Sequence, residues 1–315
     1  YVDFYQREKP YIAVVKDGAG IGRVMKLPAY SSVIGTMQYI IPNEKVDINY
    51  LVYSMEYMNL AKYFSGATIP HIYFRDYQKE PLNLPEIKVQ KKIGGILSNI
   101  EKLIAFRNQE LSKFDQLVKS RFIELFGDPV SNDKFWNLAI LQDVTSKIGS
   151  GATPKGGKSS YQKEGIPFIR SMNVHDGVFL SKDLAYLSDK QAKQLENVIV
   201  KENDVLLNIT GASVARSCIV PKTVIPARVN QHVSIIRCIP KYLNPEFLNK
   251  LFLHHRYKNL LLSLGEAGGA TRQAITKSQL EKLQIILPPL TLQNEFADFV
   301  QQVDKSKYGE ILNAL

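Results

Sequence analysis

Apolar and polar residues alternate along this chain on two different periods. Short apolar runs of strand length, among them Ile12-Ala-Val-Val15, Val205-Leu-Leu207 and Val233-Ser-Ile-Ile-Arg-Cys-Ile239, end in glycine or polar turns. From Glu86 the period lengthens to that of a helix. Leu97, Ile104, Leu111, Val118 and Leu125 recur every seven residues, and Ile93, Ile100, Arg107, Phe114 and Arg121 form the companion row. This seam predicts a long helix over 86–127, stopped by Gly127-Asp128-Pro129. Arg107 and Arg121 interrupt the apolar seam and predict a partner helix whose polar or acidic groups meet them. A second helix over 289–315 follows Ile285-Ile-Leu-Pro288, with Leu292, Phe296, Phe299 and Val303 on a 4-3-4 spacing. Each helix is expected to follow a strand closed by proline, the first being Leu82-Asn-Leu-Pro85.

The two helices belong to a repeat. Pro85 and Gln90 match Pro288 and Gln293 at an offset of 203 residues, as do Gly66-Ala67-Thr68 with Gly269-Ala270-Thr271 and Ile72 with Ile275. At an offset of 193, the strand ending at Gly18 matches the strand ending at Gly211, and Arg23 falls opposite Arg216. Ile41-Pro42 and Ile239-Pro240 each lead into a predicted short helix, Tyr50 to Tyr63 and Pro245 to Leu264. Ordered agreement over several elements makes the chain two copies of one module. Each copy reads as a mixed α/β globule followed by a long helix, and the two helices are expected to pair antiparallel. A helix of about 40 residues spans about 60 Å, enough to hold two globules over separate turns of a duplex.

Composition narrows the function. The formal charge is +10. Residues 128–288 hold 21 basic and 13 acidic side chains, against 9 and 8 in residues 1–85. The excess sits on one segment, as expected where a protein faces a polyanion. No apolar run is long enough to span a bilayer, and Tyr1-Val-Asp-Phe-Tyr5 lacks the pattern of a leader peptide. Cys218 and Cys238 are expected to be buried structural thiols in a reducing cytoplasm.

The motifs that suggest catalysis fail on inspection. Gly149-Ser-Gly-Ala-Thr-Pro-Lys-Gly-Gly-Lys-Ser159 resembles a phosphate-binding loop but has Ala152 where glycine is needed. Asp17-Gly-Ala-Gly-Ile-Gly22 leads into a strand-like run, not the helix whose N-terminus binds a cofactor. Leu287-Pro-Pro-Leu290 lacks the flanks of an amino-methyltransferase motif. None of the five histidines has metal-ligand spacing to another His or Cys. Polar and basic loops remain. Thr153, Lys155 and Lys158 lie on the glycine-rich loop, Arg170 and Asn173 at a strand end, and Arg216, Asn230, Gln231, Arg272 and Gln273 in further turns. Lysine suits phosphate contact, and arginine, asparagine and glutamine suit guanine and adenine edges. Lys16, Arg23 and His71 are the candidates in the first module.

The ordered series Gly149-Ser-Gly-Ala-Thr-Pro154, Gly165-Ile-Pro-Phe-Ile-Arg170, Gly211-Ala-Ser213, Asn230-Gln-His-Val233, Gly268-Gly-Ala-Thr-Arg272 and Leu287-Pro-Pro289 resembles the specificity (S) subunits of type I restriction–modification systems. Leu125-Phe-Gly-Asp-Pro129 resembles the end of their first spacer helix. The resemblance implies a non-catalytic, DNA-binding protein with two α/β recognition modules and antiparallel coiled-coil spacer helices in a pseudo-twofold repeat. Residues 1–85 are then a first recognition domain, incomplete at its N-terminus, and 86–127 the first spacer helix. Residues 128–288 are the second recognition domain, and 289–315 a shortened second helix. Either the chain is a fragment or it is a natural variant with an incomplete first reader. The resemblance further implies two modification subunits using S-adenosylmethionine and restriction subunits using ATP, so that no cofactor belongs to this chain. Arg107, Phe114 and Arg121 would face such partners. The alternatives are a regulatory or structural DNA-binding protein without modification partners, and a small methyltransferase.

Overall fold

The computed structural model describes residues 4–66, 70–266 and 273–313, with side chains as far as Lys307. The fold is mixed helix and sheet, in two compact units, Tyr1–Glu110 and Leu111–Leu315.

In the first unit the apolar run Tyr11–Val15 becomes β1, the central strand of an antiparallel sheet. It lies between β2 (Val24–Leu27) and β3 (Met37–Ile40). The glycine-rich segment is the turn between β1 and β2, as its sequence suggested. Helix α1 (Ile48–Tyr57) is capped by Asp47, whose carboxylate accepts from the Asn49 and Tyr50 amides, both at 3.0 Å. Its Leu51, Val52 and Met55 close the core over Ile12, Val14 and Val24. The helix expected from Tyr50 to Tyr63 breaks at Asn59, whose φ of 49° ends it before a single 3-10 turn over Leu60–Tyr63. The short α2 (Phe74–Tyr77) follows, and then the long α3 (Ile87–Phe126). No strand forms at Leu82–Pro85, which has no sheet partner.

The second unit stacks three layers. Its elements in order are β4 (Leu138–Ile140), β5 (Thr145–Ser150), β6 (Ile166–Ile169), β7 (Val174–His175), β8 (Val178–Phe179), β9 (Ala185–Leu187) and α4 (Asp189–Lys193). Next come β10 (Ile199–Val200), β11 (Val205–Asn208), β12 (Ser217–Ile219), β13 (Ala227–Val229) and β14 (Val233–Cys238). The unit ends with α5 (Pro245–Leu253), α6 (His255–Glu266), α7 (Lys277–Glu281), β15 (Gln284–Ile286) and α8 (Leu290–Asn313). The helix expected over Pro245–Leu264 is therefore two, separated at His254, whose ψ of 129° is extended.

The middle layer is the sheet β12-β11-β14-β5, with the sheet β10-β13-β6-β9 on one side and helices on the other. Alternate residues of a strand point to opposite faces. Val205 and Leu207 of β11 pack into the helical layer and Leu206 into the second sheet; Ile236 and Ile235 of β14 divide the same way. Both faces being buried explains why these strands are apolar at nearly every position. Asp204 is fully buried and receives two bonds from the Arg237 guanidinium, at 2.7 and 2.8 Å, with the Lys201 amide at 2.7 Å. Both cysteines are buried and free.

The last turns of α3 pack within this unit, on a face that matches the expected seam only in part. The buried row is Val118, Phe122 and Phe126, four residues apart. Phe126 meets Phe247 of α5 at 4.8 Å and Phe296 of α8 at 5.4 Å between ring centres. Phe114 and Leu125 only flank it. Helix α8 runs antiparallel to these turns: Glu295 bonds Arg121 at 2.7 Å, and Lys307 bonds Asp115 at 2.6 Å. The acidic group predicted to meet Arg121 is therefore Glu295 of this chain. Arg107 pairs with Glu110 on its own helix at 2.6 Å. Expected to face other subunits, Phe114 and Arg121 are engaged within the chain. Earlier in α3 the seam residues Ile93, Ile100 and Ile104 are exposed.

Candidate nucleic-acid interface

Four segments of the second unit converge on a cleft of about 600 Å³. The turn after β11 brings Thr210, Gly211, Ala212 and Ser213, and the approach to β12 brings Arg216. Ser171 and Met172 follow β6, His232 precedes β14, and Gln273-Ala274 complete the lining. Backbone bonds tie the segments together: the Gly211 amide donates to Gln273 O at 2.9 Å and the Ile209 amide to His232 O at 2.9 Å. The floor is held from below by Asn208, whose buried side-chain amide donates to Ser171 O at 2.9 Å.

The loop after β5 joins this rim. Gly151 sits so close to Val229 that a Cβ there would lie 1.7 Å from the Val229 carbonyl oxygen, so no other residue fits. Its amide donates to Asn230 O at 3.1 Å, and the exposed Thr153 hydroxyl donates to Gln231. Gln231 in turn donates to His232 Nε2 at 3.0 Å, while His232 Nδ1 meets the Thr210 hydroxyl. A connected polar rim thus runs from Thr153 through Gln231 and His232 to Thr210. Two segments that looked unrelated along the chain, 149–154 and 230–233, are one structural device. Lys155 and Lys158 stand exposed on the same loop.

The predicted residues separate into distinct groups. Thr153, Gln231, Arg216 and Gln273 are brought together, and Gln273 bonds Glu266 at 2.9 Å. Asn173 is not a base reader: it is fully buried, its carbonyl oxygen accepts from the Arg170 amide at 3.0 Å, and its amide donates to Leu180 O at 2.9 Å. Asn230 is buried as well and caps its own turn by accepting from the His232 amide at 3.0 Å. Asparagine that bonds nearby backbone shapes turns, and the same chemistry made both look like readers. Arg170 is partly committed, donating to Asp183 O and lying 5.5 Å over the Tyr161 ring. Arg272 lies outside the described residues. In the first unit Arg23 is exposed, Lys16 is half-buried at the end of β1, and His71 pairs with Asp17 while packing 4.1 Å from Tyr73. The cleft residues Thr210, Ser171 and Met172 were not singled out from sequence, and His232 was noted only within its cluster. The available signal for Thr210 was its place beside Gly211, matching the turn of the other copy.

Among the described residues no group of His, Cys, Asp or Glu could hold a metal ion. Among them no helix is long and apolar enough to cross a membrane.

Relatives agree with this architecture. The family described as type I restriction modification DNA specificity domain matches residues 1–114 and 134–315. The putative type I restriction enzyme MjaX specificity subunit of Methanocaldococcus jannaschii is 24% identical over 290 residues, covering 84% of this chain and 63% of its own. The MjaVIII specificity subunit of that organism is 23% identical over 312 residues, covering 93% and 72%. The chain thus spans under two thirds of the first relative's length. In fold it is similar to the type I restriction–modification S subunit of M. genitalium, with a TM-score of 0.63 at 14% identity over 99% of this chain and 81% of that one. A chain of a type I R-M system complex gives a TM-score of 0.54 at 19% identity, over 95% and 75%. With a match over nearly its whole length and a shared fold, the chain belongs to the type I restriction modification DNA specificity domain family.

Proposed function

We propose that this chain is the DNA-reading subunit of a type I restriction–modification complex and performs no chemistry itself. The observation that carries the reading is the cleft of the second unit, where separate segments deliver Arg216, Gln273 and the Thr153–Gln231–His232 rim to one exposed edge. Lysines on the adjoining loop supply affinity for phosphate, and the rim supplies contacts to base edges. Each unit addresses one half of a bipartite duplex target. The helices dock two modification subunits that use S-adenosylmethionine, and ATP-dependent restriction subunits join that core, so the cofactors reside on the partners. Residues 1–85 and 128–288 act as recognition domains in this scheme, with 86–127 and 289–315 as spacers. The complex works in the cytoplasm, where the DNA is.

The test is adenine methylation by the chain mixed with modification subunits encoded beside it, mapped across a genome at single-base resolution. A bipartite motif with an unspecified gap is the expected result. Tight, salt-sensitive DNA binding without methylation would transfer the protein to the regulatory class.

A further inference from the structure

The two units share one backbone scaffold at this edge and dress it differently. In the first unit the Val15 amide donates to Arg23 O at 2.9 Å; in the second the Asn208 amide donates to Arg216 O at 2.8 Å. The Gly18 amide donates to Pro70 O at 3.0 Å, as Gly211 does to Gln273 O at 2.9 Å. The Ile72 amide donates to Lys16 O at 2.9 Å, as Ile275 does to Ile209 O at 2.8 Å. Lys16 donates to Thr36 O and Ile209 to His232 O, both at 2.9 Å. Gly18 and Gly211 both have positive φ, 86° and 73°. The correspondence sets Arg23 on Arg216, Asp17 on Thr210, His71 on Ala274 and Thr36 on His232.

One feature of this match does not come from the scaffold. Each unit places an imidazole against the side-chain oxygen at the position of residue 17 or 210, yet the two histidines come from different segments. His71 reaches Asp17 from the strand side, where the second unit has Ala274. His232 reaches Thr210 from the turn before β14, where the first unit has Thr36. Ala274 and Thr36 hold the same places in the backbone scaffold, so the scaffold by itself does not call for a histidine at either place. Two independent placements of an imidazole against a side-chain oxygen, each next to a glycine turn and with an arginine at the matching backbone place of the scaffold, point to a shared ligand.

We propose that Asp17 with His71 and Arg23 forms a base-reading site in the first unit, equivalent to Thr210 with His232 and Arg216 in the second. This rests on the DNA-reading function above and assigns the first unit its half of the target. The two sites differ in chemistry. A carboxylate only accepts hydrogen bonds, so Asp17 suits the exocyclic amine of cytosine or adenine in the major groove. A threonine hydroxyl donates or accepts and discriminates less. His71 engages one carboxylate oxygen, and both side chains of the pair remain 26% exposed.

The experiment is selection from a library of randomised duplexes by the full chain, wild type and variants, with thermal melting to confirm folding. Wild type is expected to enrich two short motifs. Asp17→Asn should lower the preference for an amine-bearing base at one position of one motif by roughly tenfold and leave the other motif intact. Asp17→Thr, which installs the residue of the second unit, should flatten that same position, and Thr210→Val should alter only the other motif. Both motifs unchanged in Asp17→Asn, Asp17→Thr and His71→Ala would overturn the assignment while leaving the DNA-reading function standing. So would a loss shared equally by both motifs. A wild-type chain that enriches no motif would instead remove the function on which the assignment rests.

Discussion

Gln90 and Gln293, 203 residues apart, make the same three hydrogen bonds in their respective units. The Gln90 carbonyl oxygen accepts from the Asp47 amide at 2.9 Å, and its amide donates to Lys45 O at 3.0 Å and Pro85 O at 2.7 Å. The Gln293 carbonyl oxygen accepts from the Asn244 amide at 2.9 Å, and its amide donates to Tyr242 O at 3.2 Å and Pro288 O at 2.8 Å. Asp47 and Asn244 are themselves the N-caps of α1 and α5. Each glutamine is almost fully buried and ties the first turn of a long helix to the start of a helix in the globule beside it.

Replacing Gln293 by Leu leaves the Asn244 amide and two carbonyls buried without partners. The expected loss is about 2–4 kcal/mol of unfolding free energy. Thermal denaturation of Gln293→Leu against wild type checks it, and Gln90→Leu should cost a similar amount in the first unit. A melting temperature unchanged in both would mean that water replaces the clamp.

Arg216 and Asn173 should separate reading from folding. Arg216→Ala removes an edge side chain, so the melting temperature should hold while specific DNA affinity falls roughly tenfold. Asn173→Ala removes bonds to buried backbone and should cost about 1–3 kcal/mol of stability. At temperatures where it is folded, its base preference should match wild type. Paired melting and binding isotherms decide both.

Lys155 and Lys158 are exposed on a loop whose near end is fixed by Gly151. If they contact phosphates, Lys155→Gln with Lys158→Gln weakens binding to all duplexes alike. The slope of log affinity against log salt should become shallower by about 2. An unchanged slope would place the duplex elsewhere on the unit.

Burial pushes the Cys218 thiol up to about 12, and burial with the Asp204 charge does the same for Cys238. The reactive species is the thiolate, so at pH 8 its fraction is on the order of one in ten thousand. Both thiols should resist Ellman's reagent in the native protein and react fully in denaturant. Fast native labelling would show that the sheet core opens.

The repeat was legible because it was written in residues that make the same bond at the same place of each unit. Gln90 and Gln293, Arg23 and Arg216, and Ile72 and Ile275 keep their spacing since each bonds at a fixed place in the same scaffold. The buried face of α3 was legible only in part. A seven-residue recurrence picks Val118 and Leu125, whereas contact with both α5 and α8 buries Val118, Phe122 and Phe126. Asn173 and Asn230 were misread for a related reason. Nothing in their neighbours along the chain reveals that the backbone at Leu180 and Lys182 will close on Asn173 or that β6 will meet Asn230, and an exposed and a buried asparagine turn look alike in sequence. The rim from Thr153 to Thr210 was recovered in pieces, and only the tertiary fold joined them.

The middle sheet of the second unit has no face toward water, and the edge residues hang from the ends of its strands. Val205, Leu206 and Leu207 are wholly buried below Thr210, and Val233, Ile235 and Ile236 beyond His232. Position at the rim is therefore set by residues that never reach it. Exposed substitutions away from buried features usually change stability by no more than about 0.5 kcal/mol. A surface arranged in this way can exchange its letters almost free of thermodynamic penalty, so new preferences can arise by point mutation without a stabilising change having to come first.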